Sequence, residues 1–257
     1  MIQEWVWGDV PAGFQRFSPN RRQMVLVRER LERCLDPAKF LAERDKAKEG
    51  SPFHGRGRLR FFHLDSGETA LVRTYHHGGI FRHLTGDFFF TWPPRPFNEV
   101  AITAEVSRRG VPTLEVLGAW VEKVWGPFYR GWLVTRELEG ARDLWAALQS
   151  EHYAGADGNP LLRAVAQSVR RMHDQGVCHR DLNLKNIMVR REGNQITSYI
   201  IDFDKAKLFS RQVPAGRAER NLRRLLQSVC KLDPDRRHFP PAAWDFFLAF
   251  YREAGAG

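Results

Sequence analysis

The sequence predicts an α+β fold with two lobes, a small antiparallel β N-lobe followed by a shortened, mainly helical C-lobe. Runs rich in β-branched and aromatic residues alternate with short turns over residues 59–75 and 114–135. Apolar residues recur at helical spacing over residues 159–176. We therefore predict that residues 1–138 form an N-terminal arm and the N-lobe, and that residues 139–257 form the C-lobe.

In the N-lobe, four strands and one helix follow one another along the chain. We predict strands over residues 59–64 and 69–75, a helix over residues 97–109, and strands over residues 114–125 and 128–135. Pro96 and Gly110 bound the helix, and the short turns between the strands contain glycine. Residues 1–20 carry several aromatic side chains but no pattern that gives them a position.

The C-lobe begins with a helix that has signals at both ends. Asn159 is a predicted N-cap, Pro160 suits the first helical position, and Gly176 follows the last periodic residue. Its apolar face is predicted to be core: Leu161, Leu162, Val165, Ala166, Val169 and Met172. Short β-rich runs follow at residues 177–179, 187–189 and 196–201.

Two polar motifs lie at the ends of these short strands. Residues 179–186 are H-R-D-L-N-L-K-N, and residues 200–204 are I-I-D-F-D. Either motif alone is weak, but together and in this order they have the spacing of a kinase catalytic loop. In phosphoryl transfer an aspartate accepts the hydroxyl proton, and hard oxygen ligands bind the Mg²⁺ of Mg-ATP. We predict that Asp181 is the catalytic base and that Asn186 and Asp202 are the metal ligands.

A kinase-like C-lobe predicts an ATP-binding N-lobe with a glycine-rich turn, a basic strand residue and a helical glutamate. Gly55 and Gly57 could let backbone N–H groups approach phosphates, although a plain surface turn explains them equally well. Glu137 and Leu138 lie in the predicted connection between the lobes, where backbone groups would contact adenine.

The basic strand residue is Arg73, at a position where most kinases have lysine. Arginine can still contact phosphate and can pair with a carboxylate in a bidentate geometry. Glu99 and Glu105 are the candidates for its partner on the predicted helix, and we favour Glu99 because it lies in the first turn.

Three segments together resemble the 3-deoxy-D-manno-octulosonic acid (Kdo) kinases of the lipopolysaccharide kinase family. They are L-V-R-T-Y-H-H-G-G at residues 71–79, D-L-N-L-K-N at residues 181–186 and I-D-F-D-K at residues 201–205. The resemblance implies a protein-kinase-like fold and ATP-dependent phosphorylation of a Kdo sugar on a lipid A precursor, at the cytoplasmic face of a Gram-negative inner membrane. It also implies that Arg73 and Glu99 position phosphate.

The chain departs from the protein kinases at two positions of these motifs. Asp204 stands where they have the glycine of D-F-G, and Asn183 stands where they use a lysine near the transferred phosphate. Only 55 residues follow Asp202, too few for a long activation segment plus a helical subdomain. These features favour a small or lipid-linked acceptor over a protein.

The formal net charge of +10 predicts an anionic partner. No nucleic-acid motif is present, so we expect the lipid A-linked Kdo acceptor and an anionic membrane surface as partners, with no nucleic acid and no obligate protein partner. No run approaches about 18 apolar residues, and no basic region precedes an apolar stretch, so attachment should be peripheral. The three cysteines are unclustered, which favours reduced thiols.

Two regions could contact the membrane or the acceptor. One is a helix with Arg217, Arg220, Arg223 and Arg224, although the pattern favours a solvated basic face over a core stripe of Leu222, Leu225, Leu226 and Val229. The other is the aromatic and basic segment 79–97, for which packing under the N-lobe is an equal alternative. A kinase for another acceptor, such as a heptose, an aminoglycoside or a protein, remains an alternative function, as does a silent nucleotide-binding or nucleic-acid-binding module.

Overall fold

The computed structural model describes residues 7–29, 31, 60–64, 67–75, 89, 91–126, 128–150 and 158–255. The chain divides into two compact units. The first contains Met1–Glu105 and Glu115–Glu137, and the second contains Val106–Leu114 and Leu138–Gly257.

The first unit is built on a six-stranded antiparallel sheet with the strand order β1-β2-β5-β6-β4-β3. Its strands are β1 Phe14–Asn20, β2 Gln23–Arg28, β3 Arg60–His63, β4 Thr69–Thr74, β5 Val116–Trp125 and β6 Phe128–Arg136. Helix α1 spans Arg95–Arg108. Strands β3 to β6 and helix α1 confirm the sequence prediction to within about two residues at each end, whereas β1 and β2 were not predicted.

Both faces of the sheet are buried. One face packs Leu26, Ala119 and Leu133 with residues of α1, including Phe97 and Val100. The other face forms a second cluster that includes Val25, Val72, Trp120, Trp132 and Val134. The alternation of side chains along each strand therefore divides the apolar residues between two cores.

Helix α1 lies close to strand β6 at one particular point. A Cβ atom on Gly131 would overlap the ring of Pro96 at the start of α1, so only glycine permits this approach. Because Glu99 lies one turn beyond Pro96, this contact helps to set where its carboxylate is held against the sheet.

The second unit contains most of the helices that the structure describes. They are α2 Leu144–Leu148, α3 Gly158–Asp174, α4 Ala215–Leu232 and α5 Pro241–Glu253. Its strands are β7 Arg142–Asp143, β8 Val177–Cys178, β9 Ile187–Glu192, β10 Gln195–Ile200 and β11 Lys207–Leu208. They form the antiparallel sheets β10-β9-β7 and β11-β8. None of the described helices is long and apolar enough to cross a lipid bilayer.

Helix α3 leads toward the H-R-D motif of residues 179–181. All six residues of its predicted apolar face are buried, which confirms the core assignment. The helix ends before Gly176, whose φ of 72° lies in the left-handed region, and a Cβ there would overlap the carbonyl oxygens of Phe209 and Arg211. Strand β8 starts at the next residue, so this turn fixes the start of the segment that carries Asp181.

Cys178 is buried and Cys230 is exposed, and both are free thiols in the structure. The third cysteine, Cys34, lies outside the described residues.

Candidate active site

Asp181 lies in the loop between β8 and β9, and both of its backbone polar groups are held by side chains of that loop. Its N–H donates to His179 Nδ1 at 3.1 Å. Its carbonyl accepts from the amide nitrogens of Asn183 at 2.9 Å and Asn186 at 2.8 Å. Asp181 itself is exposed. The loop therefore presents this carboxylate to solvent from a backbone with little freedom to move.

Asn186 is fully buried at the end of a short 3₁₀ helix, Leu184–Asn186. Because its side-chain nitrogen donates to the Asp181 carbonyl, its side-chain oxygen is the atom that can accept from a donor or bind a cation. The Asn186 carbonyl also accepts from Ile201 N–H at 2.9 Å. That bond brings Asn186 next to the residue that precedes Asp202, so the two predicted metal ligands lie in adjoining segments.

Asp202 has a φ of 70°, one of two positive values among the described non-glycine residues. An L-residue pays about 1 kcal/mol or more for this conformation, which persists only where the surroundings impose it. Here the next residue, Phe203, is fully buried with its ring 5.0 Å from that of His179. Backbone strain of this kind is concentrated at functional sites.

His179 joins the two motifs and is buried. Its Nδ1 accepts from Asp181 N–H, and its Nε2 donates to the carbonyl of Ile201 at 2.8 Å. Burial lowers the pKa of His179 below its usual value of 6.5, although its hydrogen bond to Ile201 and the nearby aspartates oppose that shift. A neutral imidazole with its proton on Nε2 satisfies both bonds. Sequence reasoning gave His179 no role of its own, although its place in the H-R-D motif was a signal.

The polar groups of this loop fit a magnesium ion that is held mainly by its substrate. Asn186 and Asp202 supply one amide oxygen and one carboxylate, and Mg²⁺ in such sites takes one or two protein ligands, water and phosphate oxygens. Among the described residues, no group of three or more His, Cys, Asp or Glu side chains could hold a metal. One amide oxygen and one carboxylate match the donor set of a metal-nucleotide site.

The first unit holds a second polar cluster, on β4 and α1. Arg73 Nη2 forms an ion pair with Glu99 Oε2, and Tyr75 donates its hydroxyl hydrogen to the same oxygen. Arg73 also lies over the Tyr75 ring at 5.1 Å and contacts its hydroxyl at 3.3 Å. The sequence favoured Glu99 over Glu105 for this pair, and the structure has the pair with Glu99.

Glu99 is only 3 % exposed, whereas the Arg73 side chain is about one-third exposed. The buried carboxylate thus anchors a guanidinium that still reaches solvent, as a phosphate-binding arginine requires. Burial and the neighbouring Glu99 charge raise the pKa of Tyr75 well above its usual value, so the phenol stays protonated and donates to Glu99. Tyr75 was missed from sequence, although its spacing of two from Arg73 on a strand would place both on one face.

The other predicted nucleotide contacts have mixed outcomes. Gly55 and Gly57 lie outside the described residues. The chain passes from the first unit to the second between Glu137 and Leu138. Glu137 N–H donates to Thr69 O at 2.8 Å, and Leu138 O accepts from Ala141 N–H at 3.1 Å. A role for these two residues in adenine binding stays a prediction.

The two candidate contact regions also differ in outcome. In segment 79–97, Phe89 and Trp92 pack with the sheet core, which is the packing alternative, while Phe81, Phe88 and Phe90 lie outside the described residues. On α4, the predicted core stripe is only partly confirmed, because Leu225 and Val229 are buried whereas Leu222 and Leu226 are half-buried, and the arginines of this helix are exposed.

Comparisons with known proteins relate this chain to one family. The profile of the lipopolysaccharide kinase (Kdo/WaaP) family matches residues 43–251. A 3-deoxy-D-manno-octulosonic acid kinase of Photobacterium profundum is 31% identical over 239 residues, which are 91% of this chain and 93% of that protein. The corresponding kinase of Actinobacillus succinogenes is 34% identical over 142 residues, and this match spans 58% of its length and 54% of this chain.

A solved structure described as WaaP in complex with acyl carrier protein has the same fold. It superposes with a TM-score of 0.56 and 19% identity, covering 89% of this chain and 88% of that one. This similarity confirms the predicted protein-kinase-like α+β fold, for which ATP is the expected phosphoryl donor. By its family match and its sequence relatives, the chain belongs to the lipopolysaccharide kinase (Kdo/WaaP) family and is a phosphotransferase.

Proposed function

We propose that this kinase transfers the γ-phosphoryl group of ATP to a hydroxyl of a Kdo sugar on a lipid A precursor of the lipopolysaccharide inner core. The observation that carries the proposal is the exposed carboxylate of Asp181, whose backbone N–H and carbonyl are both fixed by His179, Asn183 and Asn186. A base held in this way can meet a hydroxyl from solvent without first reorganising its loop.

Each predicted site residue has its own role in this proposal. Asp181 accepts the proton of the sugar hydroxyl while the oxygen of that hydroxyl attacks the γ-phosphorus of ATP. Asn186 and Asp202 hold Mg²⁺, which when bound neutralises charge on the phosphates. Arg73 contacts phosphate oxygens, and Glu99 keeps its guanidinium in place through the buried ion pair.

The environment of Asn183 supports a sugar as the acceptor. Its side-chain oxygen accepts from Lys185 N–H at 2.9 Å, and its side-chain nitrogen donates to Asp181 O. Both ends of the amide thus serve the loop itself, and this position presents no cation such as the lysine of the protein kinases. This difference from the protein kinases lies two residues after Asp181, where the chain would contact the acceptor. A change of acceptor class is expected to change the residue at such a position.

A transfer assay with an acceptor panel tests the proposal. Purified protein, Mg²⁺ and radiolabelled ATP are incubated with a Kdo-bearing lipid A precursor. The mass of the lipid product is then determined by mass spectrometry. We expect the addition of one phosphate, loss of transfer in Asp181→Ala, and full transfer in the exposed-surface control Asp245→Asn. A heptose-bearing core, an aminoglycoside and a protein complete the panel. Transfer to one of these and none to the Kdo lipid would refute the proposal.

We also propose that the enzyme works at the cytoplasmic face of the inner membrane, as a peripheral protein. Its formal net charge of +10 suits an anionic lipid surface. Trp125, at the tip of the β5–β6 hairpin, is 75% exposed and stacks on Phe128. The neighbouring β1–β2 turn carries exposed Arg21 and Arg22, and Arg22 O accepts from Lys123 N–H at 2.7 Å. Aromatic and basic residues together favour a membrane interface.

Flotation with vesicles tests this location. We expect the protein to float with vesicles containing phosphatidylglycerol, to float poorly with phosphatidylcholine vesicles, and to lose part of its binding in Trp125→Ala. Equal recovery with both vesicle types would contradict a role for charge. The partly buried Trp145, on the surface of the second unit, offers a control substitution for the loss of an indole ring.

A further inference from the structure

Helix α4 is bonded to the catalytic loop on both sides of Asp181. Arg224 Nη1 donates to the carbonyl of Arg180, the residue just before the base. Three residues after the base, Leu184 N–H donates to Ser228 Oγ at 3.0 Å, and this hydroxyl donates to Leu225 O at 2.9 Å within the helix. The position of α4 relative to Asp181 is therefore fixed by two bonds that enclose the base in sequence.

The face of α4 that reaches this loop carries a row of like charges. Arg217, Arg220 and Arg224 are spaced three and four residues apart, so they lie on one side of the helix, and all three are exposed. The row is about 10 Å long at the rise of an α-helix. We call these three residues the arginine row.

Helix stability does not account for the arginine row. Like charges at these spacings oppose each other, and Arg217 lies in the first turn, where the helix dipole disfavours a cation. The only acidic residue of the helix, Glu219, lies 3.8 Å from Arg223, which is outside the row. Arg217 lies over the Phe209 ring at 5.6 Å and Arg224 bonds the carbonyl of Arg180, whereas no such contact among the described residues accounts for the charge of Arg220. A solvated face explains why these residues are polar but not why all three arginines lie on the side of the helix that bonds the loop of Asp181.

We propose that the arginine row is the binding site for anionic groups of the acceptor, either its sugar carboxylate or its phosphates, so that the hydroxyl to be phosphorylated is held at Asp181. Guanidinium groups bind carboxylates and phosphates in a bidentate geometry, and a row of this length suits an acceptor with two or more such groups. The ligand class is a sugar acid or sugar phosphate. This inference rests on the proposed function for the identity of the hydroxyl, but the site itself follows from α4 and the catalytic loop.

Steady-state kinetics with Arg220→Gln test the arginine row. Arg220 is the best choice because it lies one turn before Arg224, which bonds the loop and whose loss could disturb Asp181 directly. We expect the KM for the Kdo-bearing lipid to rise about tenfold, equivalent to about 1.4 kcal/mol. The KM for ATP should not change, the melting temperature should stay the same or rise, and KM should depend less on salt. The control Arg252→Gln, on α5, should resemble the unmodified enzyme.

Direct binding separates this inference from the proposed function. The dissociation constant of a Kdo-bearing lipid in detergent micelles is measured without ATP. The same measurement is made with a Kdo-bearing lipid that lacks the lipid phosphates. Weaker binding of both lipids by Arg220→Gln assigns the row to the sugar carboxylate, and weaker binding of only the phosphorylated lipid assigns it to lipid phosphate. Both outcomes support an anion site even if no transfer to Kdo is found. Unchanged binding, or a loss confined to vesicle binding, overturns the inference.

Discussion

The buried histidine at the end of helix α3 should make the stability of this enzyme depend on pH. His173, on α3, is 2% exposed and contacts both α4 and α5. Its Nδ1 accepts from the hydroxyl of Tyr251 on α5 at 2.8 Å, and its Nε2 donates to Asn221 Oδ1 on α4 at 3.2 Å. On its own helix the nearest charges are Arg170 and Asp174, which form an ion pair with each other. The neutral imidazole is therefore fully bonded in a site that excludes water.

Burial lowers the pKa of His173 from 6.5 to about 4, against the weaker opposing effects of Asn221 and Asp174. Between these two values the unfolded chain binds a proton at this residue and the folded chain does not. Stability therefore rises with pH through this window and is lost as the pH falls from about 6.5 toward 4. At 1.36 kcal/mol for each pH unit, the loss between pH 7 and pH 5 is about 2 kcal/mol. His179, whose pKa burial also lowers, contributes in the same direction.

Urea denaturation at pH 7, 6 and 5 measures this dependence. We expect His173→Gln, which can still form hydrogen bonds but does not titrate, to lose about 2 kcal/mol less than the unmodified protein over this range. Tyr251→Phe is the control, because it removes one hydrogen bond and leaves the imidazole, so it should lower the whole curve and keep most of its slope. Parallel curves for His173→Gln and the unmodified protein would show that the burial argument is wrong.

Three further substitutions test the site and the turns that support it. Glu99→Gln removes the charge that anchors Arg73 on β4, so it should lower kcat/KM about 100-fold in the transfer assay. The control Glu105→Gln should change kcat/KM less than threefold, and equal losses in the two variants would contradict the assigned ion pair. Gly176→Ala should lower the free energy of unfolding by at least about 2 kcal/mol more than Gly193→Ala does, as measured by thermal unfolding. Both glycines have a positive φ, but only a Cβ at Gly176 would overlap backbone carbonyl oxygens. Equal losses would show that the structure relieves this overlap. Asp233→Ala should lower the free energy of unfolding at pH 7 by about 3 kcal/mol. The buried Asp233 carboxylate accepts hydrogen bonds from three backbone N–H groups, and these bonds outweigh the effect of burial and lower its pKa. A loss below about 1 kcal/mol in urea denaturation would mean that water replaces these bonds.

The loop that carries Asp181 was predictable because its signals are local. Asp181, Asn186 and Asp202 lie within 22 residues, and the short strands between them have clear turn residues. Once β9 and β10 pair as a hairpin, the ends of the segment must meet, and the backbone bond from Ile201 to Asn186 is the result. Local sequence therefore determined which residues come together in this unit.

The β1–β2 hairpin was missed for an equally physical reason. Pro19 lies inside β1 and argues against a strand, because proline cannot donate to a ladder. In the structure β1 is an edge strand, where that loss is tolerated, and Asn20 closes the turn by accepting from the N–H groups of Arg22 and Gln23. Whether a strand lies at an edge is a property of the whole sheet, which the local sequence does not contain.

The same limit applies to the residues that support each functional group. Arg73 and Asp181 were found by type and spacing, but Tyr75 and His179 were not, because their roles arise only from burial. In both units a buried residue holds a more exposed one: Glu99 with Tyr75 holds Arg73, and His179 holds the backbone of Asp181. Burial removes competing water, so these bonds fix position better than surface contacts would. A motif therefore identifies a candidate group by its type and spacing, whereas the packing of distant segments determines how firmly that group is held.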